Sequence, residues 1–264
     1  MSAAIYARVK IAFSSTKMMT GETRMSNLRH LWLVALVVLV LAGLVIEASG
    51  DQISLSGNVS RLEYRQSRRA YQSHVVQAEG EAALGNDVWK IEGRIKSKFA
   101  DEESGWRSFE IQALLAKAIS ESWTVYGGVR QDVDPAPTWT SAVGGLSGQF
   151  LDAIQMDLGL FVFETGGVTA RVEAAVDSEI TPRIFLQPAL DIDVAILGSE
   201  DSGTETGIIV TDIGLRLIYK VTPLISSYAG VAFERNWGDT RRNAEILGQE
   251  IENIYFLLGL QLSY

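Results

Sequence analysis

From about residue 54 to the end of the chain, apolar and polar residues alternate with a period of two, the pattern of strands with one greasy and one polar face. Between Val88 and Phe99, one face takes Lys90, Glu92, Arg94, Lys96 and Lys98, and the other takes Trp89, Ile91, Gly93, Ile95 and Phe99. Val168–Asp177 sets Thr169, Arg171, Glu173 and Asp177 against Val168, Ala170, Val172, Ala174 and Val176. Ile184–Ile196 sets Gln187, Asp191 and Asp193 against Leu190, Ile192, Val194 and Ile196, and Thr211–Val221 sets Asp212, Arg216 and Lys220 against Ile213, Leu215, Leu217, Tyr219 and Val221. The last segment opposes Asn253, Gln261 and Ser263 to Ile254, Phe256, Leu258, Leu260, Leu262 and Tyr264. The alternation predicts strands near 54–66, 75–84, 87–100, 106–119, 123–133, 138–148, 153–163, 168–178, 183–197, 207–220, 224–236 and 250–264, the first being the weakest. No segment after residue 50 carries a useful length of helical periodicity.

The links between these strands fall into two kinds. Those near 85–86, 120–122, 149–152, 179–182 and 221–223 are short, and two contain Thr-Pro. The intervening links are longer and include Gly198–Thr206 and Trp237–Gln249. An even number of strands, short turns at one end and longer loops at the other describe an outer-membrane barrel with both termini in the periplasm.

A soluble barrel alternates too, with its apolar face inward. Here the polar face carries charges at mid-strand: Glu92, Arg94, Glu110, Arg130, Asp157, Arg171, Glu173, Asp191, Asp193 and Arg216. Charges of both signs fit a wet lumen and are costly in a dry core. Apolar-face aromatics gather near strand ends, with Trp89, Trp123, Tyr219 and Tyr264 at the periplasmic end and Phe99, Phe109 and Phe233 at the other, as interfacial girdles do. Lys117 and Arg235 break the pattern close to strand ends, where long side chains snorkel. The fold class that follows is all-β: a transmembrane antiparallel up-and-down barrel of about 12 strands, preceded by a signal segment.

Leu31–Ile46 is an unbroken apolar run, preceded by Arg29 and His30 and followed by Ala48-Ser49-Gly50. A positive flank, a short apolar region and small residues form a cleavable secretory signal, and sixteen residues are short for a membrane span, which takes about 20. The expected organisation is therefore a signal over residues 1–50, with Met25 as the expected start, a strand or periplasmic lead-in over 51–74, and the barrel over 75–264. The net charge is −9, and because residues 1–50 hold five basic and two acidic residues, the remainder stands at −12. So acidic a chain repels phosphates, which excludes nucleic acid as a partner, and suits a cation. Without cysteine there is no disulfide, thiolate metal site or acylated N-terminal Cys.

The segments EGEAALG (Glu79–Gly85), GGVRQDVDPAPTW (Gly127–Trp139), RVEAAVDSEITPRIFLQPALDIDV (Arg171–Val194), GLRLIYKVTPLISSYAGVAFER (Gly214–Arg235) and the closing strand together resemble the copper-resistance protein B family over about Glu79–Tyr264. That resemblance implies an outer-membrane barrel linked to copper tolerance in Gram-negative bacteria, with copper as the ion handled and often a periplasmic multicopper oxidase as partner. It also implies a Met- and His-rich segment ahead of the barrel, whereas residues 51–73 contain neither. After residue 50 the chain has one histidine, His74, and one methionine, Met156, the latter on the outward parity with Ile154 and Leu158. Cu(I) favours thiolate or thioether and Cu(II) imidazole, so His74 by itself makes no tight copper site.

The candidate metal-binding residues are therefore lumen carboxylates, Glu79, Glu81, Glu92, Glu110, Asp157, Glu173, Asp191, Asp193 and Glu234, with His74 at the rim. Each of these carboxylates has an alternative role in ion pairs with Arg94, Arg130, Arg171 or Arg216. The expected function is copper homeostasis by weak binding or passage through an acidic lumen; the alternative is a passive cation-selective porin or a structural barrel. Enzymatic activity is not expected, because His74, next to Ser73, has no identifiable oriented partner. Other expected partners are membrane lipid, lipopolysaccharide and the outer-membrane assembly machinery, to which a terminal aromatic such as Tyr264 is a signal. Gly144-Gly145 and Gly166-Gly167 are strand and turn glycines with no helix behind them to hold a phosphate.

Overall fold

The computed structural model describes residues 53–68, 74–100, 105–134, 138–199, 205–246 and 250–263, and the expected signal segment lies outside these residues. The strands are β1 (Ser54–Ser67), β2 (His74–Gly85), β3 (Trp89–Ala100), β4 (Gly105–Ala118), β5 (Trp123–Asp134), β6 (Trp139–Phe150), β7 (Ile154–Phe163), β8 (Val168–Val176), β9 (Ser178–Thr181), β10 (Ile184–Leu197), β11 (Gly207–Lys220), β12 (Ile225–Asn236) and β13 (Glu252–Ser263). Each long strand pairs antiparallel with its neighbours in sequence, β9 being a short spur on β10. Pairing of β1 with β13 closes twelve strands into a barrel and leaves no free edge to the ring. The protein is an outer-membrane β-barrel.

Local chemistry sets the tight end. The Asn86 side chain accepts from the N–H groups of Val88 and Trp89 at 2.9 and 2.8 Å. Ser120 Oγ accepts from Trp123 N–H at 3.1 Å, Thr181 Oγ1 from Ile184 at 3.1 Å, and Thr222 Oγ1 from Ile225 at 3.0 Å. These side chains stand in for a backbone turn and release the next strand after two or three residues. The β6–β7 turn instead uses Leu151 and Asp152 in the left-handed region, with φ of 52° and 55°, the twist a two-residue hairpin favours.

The expected alternation holds, and its polarity is inverted relative to a soluble protein. Ile91, Val129 and Leu258 are 65%, 56% and 63% exposed, whereas Glu63 and Arg65 are 0% and 1% exposed. Apolar side chains coat the outside and charges fill the interior, so hydrocarbon solvates the wall. Trp89 and Tyr219 are exposed at the periplasmic end. Lys117 reaches over the Trp89 ring, 5.0 Å from its centre, and Arg235 lies 4.3 Å above Trp237 and 3.7 Å from Glu252. Both exceptions to the pattern thus sit at strand ends against aromatic partners.

Three details differ from the sequence reading. Phe99 is buried; it follows a register shift in the β3–β4 pairing, so strict alternation misplaces it. The long link after β12 contains a helix, α1 (Gly238–Ile246), started by Asp239 and carrying an Arg241–Glu245 pair at 3.0 Å. It buries only Ala244 and has no apolar stripe to announce it. The interior also holds two apolar patches, one of Leu114, Ala116, Tyr126, Val143 and Phe161, the other of Ala232, Tyr255 and Leu257.

Candidate functional site

All nine predicted carboxylates are on the lumen side, and each is paired with a cation. Arg61 holds Glu79 at 3.2 Å and Asp191 at 3.3 Å. Arg94 holds Asp157 at 2.9 Å and Glu92 at 3.1 Å, with Glu81 at 3.8 Å. Glu110 sits between Arg130 at 2.9 Å and Arg171 at 3.1 Å; Arg171 also takes Asp193 at 2.8 Å. Glu173 pairs with Lys96, and Glu234 with Lys98 at 3.0 Å and Arg65 at 3.5 Å. For these residues the ion-pair alternative is the geometry observed.

The pairs do more than join neighbours. Arg61–Asp191, Arg94–Asp157, Lys96–Glu173, Lys98–Glu234, Arg171–Glu110, Arg65–Asp212 and Arg216–Glu63 connect strands three to five places apart around the ring. They therefore cross the lumen and tie opposite walls together. A ring of twelve strands falls between barrels filled by side chains and barrels with an open channel, and bridges of this kind fill it.

The most deeply buried part is centred on β1. Glu63 accepts from Arg216 at 2.9 Å and lies 3.3 Å from Arg65, which reaches Asp212 at 2.6 Å. Sequence reasoning missed Arg61, Glu63 and Arg65, although Arg61-Leu62-Glu63-Tyr64-Arg65 alternates perfectly. The signal was present but lay in the strand that looked weakest.

Toward the periplasmic end the interior opens into a cavity of about 490 Å³. Glu81, Asp157, Asp177, Glu173 and Asp191 line it, together with Arg61, Arg94, Lys96 and Arg171. Asp177 receives the amides of Gln155 at 3.2 Å and Gln187 at 2.8 Å. Met156 borders the same cavity, a single thioether where a Cu(I) site takes several soft ligands. His74 is elsewhere, at the start of β2 on the opposite end, with its ring 5.4 Å from that of Tyr64. Among the described residues, no three carboxylate, imidazole or thiolate groups stand in an arrangement ready to hold a metal ion.

Aromatic faces steady the cations. The guanidinium of Arg94 lies 4.3 Å from the Tyr126 ring centre, and Tyr126 donates its hydroxyl hydrogen bond to Asp157. Arg130 and Arg171 sit 4.6 and 5.4 Å from the ring centre of Phe161. The inward apolar patch on β4–β7 is thus the platform on which the charged layer rests.

A model of the family described as copper resistance protein B precursor matches residues 54–264. The copper resistance protein B homolog of Pseudomonas syringae pv. tomato is 33% identical over 179 residues, covering 68% of this chain and 60% of that protein. Copper resistance protein B of Escherichia coli is 29% identical over the same length and shares. The chain therefore spans 60% of the length of these relatives. Among solved structures, the NanC porin superposes with a TM-score of 0.50 at 13% identity, over 79% of this chain and 100% of that one; this likeness is one of fold.

Proposed function

The chain belongs to the copper resistance protein B family, and from that premise we propose that it contributes to copper tolerance at the outer membrane by binding copper weakly at lumen carboxylates and handing it on. The observation that carries this reading is the periplasm-facing cavity lined by Glu81, Asp157, Glu173, Asp177 and Asp191. Carboxylates already paired with arginine bind a metal only by exchanging one cation for another. That makes weak, reversible binding the natural outcome and argues against storage. Irving–Williams ordering favours Cu(II) over other divalent first-row ions at such oxygen ligands.

The proposed role is non-enzymatic, since His74, the one imidazole after residue 50, is not among the residues that line the cavity. The proposed organisation keeps residues 1–50 as an export signal and the barrel in the outer membrane with lipid and lipopolysaccharide around it. Its proposed protein partners are the assembly machinery and a periplasmic multicopper oxidase, which would receive copper at the cavity mouth. Deleting the gene and measuring growth across a copper series tests the role directly. Lost tolerance, restored by the wild-type gene, supports it, and unchanged growth sinks it.

A further inference from the structure

A second cavity, of about 690 Å³, lies on the lipid-facing wall and takes no part in the lumen. Its cause is a step in side-chain size. On β12 the outward residues Ser227 and Ala229 are small, and their cross-strand neighbours are large: Tyr219 and Leu217 on β11, Leu260 and Leu258 on β13. The two β12 residues thus form a floor one strand wide between two raised walls. Leu62 and Tyr64 carry the second wall across the β13–β1 closure.

The groove has a polar end and an apolar end. Tyr219 is the penultimate residue of β11 and Ser227 the third of β12, so this hydroxyl-bearing pair stands at the periplasmic interface. Lys220 and Arg183 follow at the same end, both exposed and held side by side by a 2.9 Å bond from Lys220 N–H to the Arg183 carbonyl. Glu179 is the one carboxylate on β9 beside them. Two residues further along each strand the lining is hydrocarbon, from Leu217, Ala229 and Leu258.

We infer that this groove holds one phospholipid of the periplasmic leaflet, with an acyl chain along the Ser227–Ala229 floor. The glycerol ester and phosphate then lie at Tyr219, Ser227 and the Lys220–Arg183 corner. The groove is a dent in a wall that hydrocarbon already solvates, and a chain lying in it regains the dispersion contacts that an unfilled furrow forfeits. A second barrel is a poorer occupant. Two convex walls meet on the crests of Leu217 and Leu258 and leave the floor between them unfilled, whereas a flexible chain follows it. Cations at the polar end complement a phosphate, and that end is the tight-turn end, which selects the periplasmic leaflet over the outer one. The inference rests on the polarity of the wall and not on copper.

The test is native mass spectrometry of the full chain, extracted from outer membranes in mild detergent and carried through exchange into fresh lipid-free detergent. Wild type should keep one phospholipid per barrel. Ala229→Leu fills the floor without adding charge and should cut the retained fraction at least tenfold. Ala170→Leu, on β8 between Leu160 and Val194, should leave it unchanged. Tyr219→Phe with Ser227→Ala keeps the furrow, removes both hydroxyls and should fall between wild type and Ala229→Leu. Wild type stripped bare, or Ala229→Leu retaining as much as wild type, overturns the inference. So does retained lipid with the mass of lipopolysaccharide, and so does a wild-type dimer that Ala229→Leu converts to monomer, which gives the groove to a second copy. If Ala229→Leu does not fold, Ala229→Val against wild type decides, equal retention overturning the idea. A barrel without any effect on copper tolerance can still keep its phospholipid, so the two readings fail separately.

Discussion

Tyr126 and Gly145 face each other across the β5–β6 pair, and the tyrosine ring fills the space a side chain on Gly145 would need. A β-carbon built on Gly145 comes within 2.2 Å of the ring. Tyr228 covers Gly259 in the same way on β12–β13, at 2.3 Å. The first of these pairs bears on the site, because Tyr126 carries both Arg94 and Asp157.

Gly145→Ala should therefore destabilise the barrel by about 1–3 kcal/mol, the usual cost of forcing atoms into filled space. The adjacent Gly144 has nothing within 4 Å of a built β-carbon, so Gly144→Ala should be neutral within about 0.5 kcal/mol. Urea unfolding of both variants in lipid vesicles checks the contrast. Equal behaviour would show that the Tyr126 ring is not held over Gly145.

Glu63 is the hinge of the buried charge layer, fully enclosed between Arg65 and Arg216. Glu63→Gln removes the buried counter-charge of Arg216, while Arg65 keeps Asp212 at 2.6 Å, and losses on removing one partner of such a pair run to about 3–5 kcal/mol. Arg216→Gln leaves Glu63 with Arg65, at 3.3 Å, and without its 2.9 Å partner. The double variant should cost clearly less than the sum of the singles, because each single change already breaks the shared 2.9 Å contact. Additive losses in a double-mutant cycle would mean that the pair is not coupled.

Why this layer was hard to read from sequence has a local cause. The pairings of β1 shift register between Val59 and Leu62 on one side and between Asn58 and Arg61 on the other. A bulge of that kind interrupts a two-residue period, so β1 looked weak while the other long strands were located to within a few residues. The lumen parity of the nine carboxylates was legible because alternation needs only neighbours in the chain. Their partners were not: Glu63 and Arg216 are 153 residues apart, and Lys98 and Glu234 are 136 apart. The inward apolar patch escaped for the opposite reason. The segment Ala113-Leu114-Leu115-Ala116 is apolar on both parities and gives no alternation to follow.

Leu258 tests the polarity of the wall. It is 63% exposed in the middle of β13, next to Tyr64 on β1 and Ala229 on β12. On a water-facing surface Leu258→Arg would cost little. Facing acyl chains near the midplane, it should cost about 2–4 kcal/mol. Trp89→Arg, at the periplasmic end, should cost less because its charge reaches head groups. Refolding yield and vesicle unfolding of the two variants give the comparison, and no difference between them would contradict a depth-dependent lipid contact.

The cross-lumen bridges bear on conduction. With Lys96–Glu173, Arg94–Asp157 and Arg171–Glu110 all joining opposite walls, wild type should show little steady conductance in a planar bilayer. Lys96→Gln alone frees Glu173 and leaves the lumen one charge more negative, so whatever current flows should become more cation-selective, read from the reversal potential in a salt gradient. Lys96→Gln with Glu173→Gln removes the bridge while keeping the net charge, so it should raise conductance without that shift in selectivity. A wild-type barrel conducting like an open porin would remove the reason for expecting any of this, because ions would then already have a path around the bridges.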